Sequence, residues 1–354
     1  MILSVPQTHP IAPSPVVAIV GATGAVGQAF LDCLAMRRFP LSRLRLLASP
    51  RSAGIALPFG DSRIAVEALD EDSFAGVDIA LFSAGGEISR RYAPLAVAAG
   101  AVVIDNSSAF RMDPQVPLVI PEINAEALRA HRGVIANPNC AAVVALMAAA
   151  PVHRVNRIRR MTLATYQAAS GAGAAAMAEL EAATRAHLAG ESYTPRVLPH
   201  PYAFNLFSHN TAIDPATGYN DEETKVMREI PKILGDDALR VSATCVRVPV
   251  MRAHAVALTL ECENPIAPDA VRRLLAAAPG VRLVDDPARN HFPMPVEASG
   301  RDEVLVGRIR TDRSDPTGRS IALFAAGDQL LKGAALNAVQ IAEMMMAPRH
   351  QERG

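Results

Sequence analysis

Several short stretches of this chain carry residue types whose spacing suits chemistry. In Asn137-Pro138-Asn139-Cys140 the proline ends a strand, and the cysteine falls at the first turn of an alanine-rich helix over residues 141–150. A thiol there meets the positive end of a helix dipole and unsatisfied N–H groups, which favour the thiolate. The same N–H groups, with Asn139, suit the oxyanion that forms when a thiolate attacks a carbonyl. A buried cysteine is otherwise a small apolar residue. That reading suffices for Cys33, inside a helix, and for Cys245 and Cys262, inside apolar strands. Cys140 is the candidate nucleophile.

A second stretch, Gly21-Ala22-Thr23-Gly24-Ala25-Val26-Gly27, follows a strand and opens a helix. Glycines there allow a tight turn and close approach of the backbone to a pyrophosphate, whose charge the helix N-terminus holds. The spacing is GxxGxxG and not GxGxxG, so a plain strand–helix turn is the alternative; the βαβ setting favours a dinucleotide. NAD sites usually carry Asp or Glu at the end of the second strand. Here Ala48-Ser49-Pro50-Arg51-Ser52 has no acid, and Arg51 with Ser52 suits a 2′-phosphate. The expected cofactor is NADP.

Three further stretches are weaker alone. Residues 165–173, Thr-Tyr-Gln-Ala-Ala-Ser-Gly-Ala-Gly, are a strand running into a glycine-rich turn. Arg247-Val-Pro-Val-Met-Arg-Ala-His254 offers a guanidinium for a carboxylate and an imidazole for proton transfer. Strict strand alternation puts Arg247 and His254 on opposite faces, so they share a site only if the strand breaks near Pro249. Glu222 and Lys225 lie on one face of a helix at i,i+3, the ordinary pattern of a solvated charged face.

The elements that must hold these residues fall into two patterns. Strands at 16–20, 44–48, 79–82, 102–104 and 134–136 alternate with helical stretches to about residue 36 and near 92–99. Such alternation implies a parallel sheet covered on both faces. After Pro151 longer strands dominate, at 158–166, 241–248, 255–262, 304–310 and 321–325. Helices at 174–188, 221–233 and near 270 intervene, which suggests a mixed or antiparallel sheet of α+β type. From residue 331 apolar positions again keep helical spacing.

Composition excludes several partners. With 354 residues, 35 Lys+Arg and 35 Asp+Glu, the chain has length for two domains and no broad basic surface for nucleic acid. A 4% aromatic content without Trp disfavours a base-stacking platform. The longest apolar run has ten residues, half of what spans a bilayer. Four cysteines without CxxC spacing indicate reduced thiols, no disulfide scaffold and no metal centre. The leader over residues 1–15 has prolines but no Lys or Arg, reads as flexible, and lacks a targeting signal. A cytoplasmic protein is expected.

Taken together, the chain resembles the aspartate-β-semialdehyde dehydrogenase family. The resemblance rests on GATGAVG (21–27), ASPRSAG (48–54), DNSSAFRMDPQVPLVIPEIN (105–124), ANPNCAA (136–142), TYQAASGAG (165–173), FNLFSHN (204–210), GYNDEETK (218–225), CVRVPVMRAH (245–254) and GDQLLKGAALNAVQIAE (327–343), in the family's order. It implies a Rossmann-like NADP-binding domain, residues 1–140 with 328–354, and an α+β catalytic and dimerisation domain with a mixed sheet, residues 141–327. It implies that Cys140 forms an acyl-thioester, that His254 is the general acid/base and that Gln167 orients substrate and thiol. Arg247 then clamps the substrate α-carboxylate and Glu222 partners its α-amino group. Arg111 and Lys225, with Asn139, form the phosphate site. Gly21, Thr23, Gly24, Ala25, Val26, Gly27, Arg51, Ser52, Ser170, Gly171 and Gln329 contact NADP. The implied reaction is NADPH-dependent reductive dephosphorylation of β-aspartyl phosphate to aspartate β-semialdehyde and phosphate, in a homodimer or homotetramer serving amino-acid biosynthesis.

Three alternatives stand beside it; one, a hydrolytic aldehyde dehydrogenase, also uses a cysteine but would not need the phosphate site of Arg111 and Lys225. N-acetyl-γ-glutamyl-phosphate reductase shares the plan and the thioester chemistry, but its cysteine motif is normally HPGC-like, and Arg247 with Glu222 suits a free amino acid. A non-catalytic relative is opposed by the presence of Cys140, Gln167, Arg247 and His254 together.

Overall fold

The computed structural model describes residues 11–346. Most of the expected flexible leader, and the residues after 346, lie outside the described residues. The chain divides into two compact units, Met1–Pro138 with Ala334–Gly354, and Asn139–Gly333.

The first unit begins with β1 (Val16–Val20), α1 (Ala25–Met36) and β2 (Arg43–Ala48). A hairpin of β3 (Ala56–Phe59) and β4 (Ser62–Ala68) follows, then β5 (Ile79–Phe82), α2 (Gly86–Ala98), β6 (Val102–Asp105), the short α3 (Pro121–Asn124) and β7 (Val134–Ala136). Its seven-stranded sheet has the order β3-β4-β2-β1-β5-β6-β7. All neighbours are parallel except the β3–β4 edge hairpin. The central strands β1 and β5 are short apolar runs buried on both faces, as helix-covered parallel strands must be. The edge hairpin was not foreseen, because Gly, Pro and charged residues hide its alternation and most of it is exposed or half-buried.

The second unit holds α4 (Cys140–Val155), β8 (Ile158–Gln167), α5 (Ala174–Leu188), β9 (Phe207–Ser208), α6 (Asp221–Leu234), β10 (Arg240–Arg247), β11 (His254–Cys262), α7 (Pro268–Ala276), β12 (Val281–Leu283), α8 (Pro295–Ala298), β13 (Val304–Thr311) and β14 (Ser320–Gly327). Its sheet, ordered β12-β13-β14-β11-β8-β10-β9, is mixed. β8 runs parallel to β10 and antiparallel to β11. Alternate residues of β8, among them Met161, Leu163, Thr165 and Gln167, are buried. The α/β plus α+β reading of the sequence therefore holds.

Two helices depart from expectation. Pro151 does not stop α4, which continues to Val155. A proline in a helix interior costs about 3 kcal/mol, but residues 141–150 and Val152 are all buried, and that burial offsets it. The chain from residue 331 is not one α-helix: Leu331–Ala335 is a π turn, and α9 (Leu336–Met346) follows. The Gly333 N–H donates five residues back to the Asp328 carbonyl, and the Asp328 side chain accepts the N–H groups of Leu330 and Leu331.

Candidate active site

In the first unit, Gly21 turns the chain at φ +89°, and a Cβ there would collide with the Ser83 backbone. The chain then enters α1 with Gly24 at the N-cap, no capping side chain and no acid in the first turn. These are the conditions under which helix N–H groups receive an anion. Gly27 serves packing: a Cβ would stand 2.6 Å from the Ala22 carbonyl oxygen. A cavity of about 370 Å³ opens over this turn, lined by Gly21, Thr23 and Gly24 and by Ser49 and Pro50 beyond β2, with no acidic residue. Ala25, Val26, Gly27, Arg51 and Ser52 do not line it. Pro50–Ser52 form a 3-10 turn, and Arg51 is exposed. The glycine turn and the open helix N-terminus fit the pyrophosphate of a dinucleotide. Arg111, in the same unit, is buried and donates from Nε to the Asn137 carbonyl (2.9 Å) and from Nη2 to the Asn106 carbonyl (2.7 Å).

In the second unit, Cys140 is the first residue of α4, and Asn139 is its N-cap. The Asn139 Oδ1 accepts the N–H groups of Ala141 (2.9 Å) and Ala142 (3.2 Å). This corrects one expectation: those two donors are taken up by the cap and are not left for an oxyanion. Asn139 Nδ2 donates to Glu222 Oε1 at 2.8 Å, and Gln167 Nε2 donates to the same oxygen at 3.1 Å. Glu222 is therefore no solvated charge. It is 6% exposed, at the start of α6, whose capping box joins Asn220 and Glu223. Burial works against its charge, but His209, the Asn139 amide, Lys225 and the Gln167 amide outweigh it and hold the carboxyl below the usual range. Lys225 Nζ stands 3.7 Å from Glu222 Oε2.

Arg247 and His254 do meet at one end of the sheet. β10 ends at Arg247, opposite Gln167 of β8, and β11 starts at His254, beside Ala255 opposite Tyr166. The strand breaks between them, where Val250 N–H turns back to the Val248 carbonyl and Ala253 takes φ +72°. A Cβ on Gly171 would lie 2.8 Å from His254 Nε2 and 3.2 Å from Arg247 Nη1, so both side chains converge on that glycine. Arg247, 3% exposed, donates from Nε to Asn210 Oδ1 (3.1 Å) and from Nη1 to the Ala168 carbonyl (3.2 Å). Its guanidinium interacts electrostatically with Tyr202, Glu222 and Cys140.

His254 is fully buried. Its Nδ1 accepts the Ala168 N–H at 3.0 Å, which assigns the ring proton to Nε2. Nε2 itself has no partner, an orphan of the kind that marks a ligand-facing group. Burial and the Arg247 charge push its pKa down to about 3, so the ring is a neutral Nε2–H donor near pH 7.

Gln329 and Ser170, both buried, bond each other, and Gln329 Oε1 accepts the Ala253 N–H at 2.9 Å. They hold the loop that delivers His254. Burial pushes the Cys245 thiol to about 12 and the Cys262 thiol to about 11, as expected of packing cysteines. Sequence reasoning missed His209 and Tyr202. His209 is buried and interacts electrostatically with Arg247, Glu222 and Lys225. The buried Tyr202 hydroxyl has no partner and faces the Arg247 charge. Both lie in the irregular stretch before α6, where no periodicity could have pointed to them.

Comparison with known proteins matches this geometry to a family. A profile described as "Semialdehyde dehydrogenase, NAD binding domain" matches residues 16–131, and one described as "Semialdehyde dehydrogenase, dimerisation domain" matches residues 150–332. The aspartate-semialdehyde dehydrogenase of Synechocystis sp. is 52% identical over 94% of this chain and 98% of its own length. The chain belongs to the aspartate-semialdehyde dehydrogenase family. The enzyme of that name from Aquifex aeolicus is 47% identical over 93% of this chain and 97% of its own. The structure of Vibrio cholerae aspartate semialdehyde dehydrogenase II complexed with ASA superposes with a TM-score of 0.91 at 42% identity, covering 95% and 99% of the two chains. A member of this family is an oxidoreductase acting on an aldehyde, with a nicotinamide-binding domain and a dimerisation domain. Among the described residues no helix is long and apolar enough to cross a membrane, and no group of three or more His, Cys, Asp or Glu could hold a metal.

Proposed function

We propose that this protein reduces β-aspartyl phosphate to aspartate β-semialdehyde, releasing phosphate, with NADPH as the electron donor. The observation that carries the reading is the convergence of ionised, buried Glu222 with Gln167, Arg247 and His254 beside a cysteine at a helix N-terminus. The Arg247 fork takes the α-carboxylate. Glu222 takes the α-ammonium; an acetylated amine would leave this buried carboxylate without its counter-charge, which disfavours the acetylglutamyl alternative. Lys225 and the remaining amide hydrogen of Asn139 take the phosphate.

The Cys140 thiolate attacks the acyl carbon, a C–S bond forms, the C–O bond to phosphate breaks, and a thioester remains on Cys140. Bound reduced nicotinamide supplies a hydride to the thioester carbon. The Nε2–H of His254 hydrogen-bonds the oxygen on which negative charge develops, as a neutral imidazole can. Accepting a proton at Nε2 would require Nδ1–H, which the Ala168 N–H opposes, so donation is the favoured role of this ring. Collapse of the thiohemiacetal returns the thiolate and releases the aldehyde. Gln167, tied to Thr165 and Glu222, fixes the substrate end of β8.

Arg51, with Ser52, reads the 2′-phosphate that distinguishes NADP. The glycine turn that follows β1 receives the pyrophosphate of the cofactor. The enzyme works in the cytoplasm as a homodimer or a dimer of dimers. The test is the reverse reaction: NADP reduction with aspartate semialdehyde should depend on inorganic phosphate, and equal rates without phosphate would overturn the reading.

A further inference from the structure

The face of α6 that carries Glu222 carries a second buried carboxylate. Glu229 lies seven residues on, two helical turns and about 10 Å along the same face, and is 1% exposed. Its Oε2 accepts the backbone N–H of Asn139 at 2.6 Å, short enough for a charge-assisted bond. Asn139 is thereby held to α6 at two separate points: its side-chain amide to Glu222, its main chain to Glu229. The third hold is on α4 itself, through the cap to Ala141 and Ala142. Cys140 is the next residue, and its Cα position follows from that of the Asn139 peptide.

Each hold has a different consequence. The cap keeps α4 helical to its first residue, but it travels with α4 and leaves the helix end free to shift along α6. The Glu222 contact is made to the group that receives the substrate amine, so it is perturbed whenever substrate arrives. The Glu229 bond is made to main chain, by a group buried away from substrate. It is a hold on the Asn139 main chain that does not change hands when Glu222 exchanges partners.

We propose that Glu229 is a positioning residue for the Cys140 thiolate, acting through the Asn139 N–H to fix where the sulfur stands relative to the acyl carbon. The inference rests on the reading of Cys140 as nucleophile. It requires that a small displacement of the attacking atom be costly, as is general for reactions that depend on near-attack geometry.

The test uses the full-length protein and three variants. E229L removes the acceptor; E229D keeps the charge but withdraws the carboxylate by one methylene; E229Q keeps an acceptor at the same reach. Steady-state turnover and the rate of Cys140 alkylation by iodoacetamide from pH 5.5 to 9 are measured, with Cys140→Ala and peptide mapping identifying the labelled thiol. E229L and E229D should lower kcat by about tenfold or more, leave KM for the semialdehyde within about threefold, and alter the alkylation rate and its pH midpoint. E229Q should recover most of both. If E229L does not fold, E229D carries the test. Normal kcat and alkylation in E229D, or an E229Q as impaired as E229D, would overturn the proposal. Alkylation needs no substrate, so a mistaken substrate assignment would show as a wild-type enzyme inactive on the semialdehyde, with the alkylation contrast among variants still readable.

Discussion

Gly333 rests against Cys140: a Cβ at residue 333 would stand 2.9 Å from the Cys140 Cβ and 3.4 Å from its Cα. The π turn at Leu331–Ala335, of a kind that recurs at functional sites, brings the glycine there. Gly333→Ala must therefore displace Cys140 or distort the turn, an overpacking strain of about 1–3 kcal/mol. Turnover should fall by about tenfold or more, with slower alkylation of Cys140. Wild-type kcat and alkylation in Gly333→Ala would show that the contact is slack.

Acid should destabilise this protein before it titrates the carboxylates. His254 and His209 are both held neutral, with burial as the first cause and the Arg247 charge as the second. Their folded pKa values lie below the unfolded 6.5, so the unfolded chain binds more protons between those limits. The stability they contribute is complete above about pH 6.5 and is lost as pH falls toward the folded values. At pH 5 the loss is about 2 kcal/mol for each such group. Glu222, whose folded pKa is depressed, adds a loss in the same direction at lower pH. Urea unfolding at pH 7 and pH 5 measures this; equal stabilities would mean that one or both rings are protonated in the fold.

Much of this site was legible in the sequence, and the reason differs by residue. Cys140 was legible because a proline-terminated strand and an apolar run bracket it, and the glycine turn because Gly21 and Gly24 sit between a strand and a helix. Arg247 and His254 were visible as types but not as neighbours. Their meeting depends on β8 lying between β10 and β11, a long-range pairing that periodicity does not encode. Glu222 looked like a surface charge because helical spacing shows which residues share a face and not whether that face is covered. Asn139 suits an anion ligand by type, but its bond to Glu222 depends on the three-dimensional approach of α6. The edge hairpin is not legible because its side chains are mostly half-buried or exposed and Pro and charged residues interrupt the apolar pattern.

Cofactor choice is open to a direct test at Arg51. The residue is exposed, just past β2, and the cavity beside it has no acidic side chain. Arg51→Ala should weaken NADP by up to about fivefold, the worth of an exposed charge contact, and leave NAD nearly unchanged. The ratio of kcat/KM for the two cofactors is the measurement. An unaltered ratio would mean that the 2′-phosphate is read elsewhere.

Arg247→Lys separates charge from geometry. The guanidinium reaches Asn210 and the Ala168 carbonyl through two different nitrogens, which fixes the plane of the fork it presents to a carboxylate. Lysine keeps the charge but has a single nitrogen, and cannot hold those contacts and a bidentate partner together. A lost charge-assisted hydrogen bond of about 1.5–3 kcal/mol should raise KM for the semialdehyde by about ten- to hundredfold. The fall in kcat should be smaller, because the thiolate and His254 remain. A competitive dicarboxylate inhibitor should lose affinity in parallel. If KM stays at the wild-type value while kcat collapses, Arg247 acts on the reacting centre, beside Gly171 and His254, and not on the α-carboxylate.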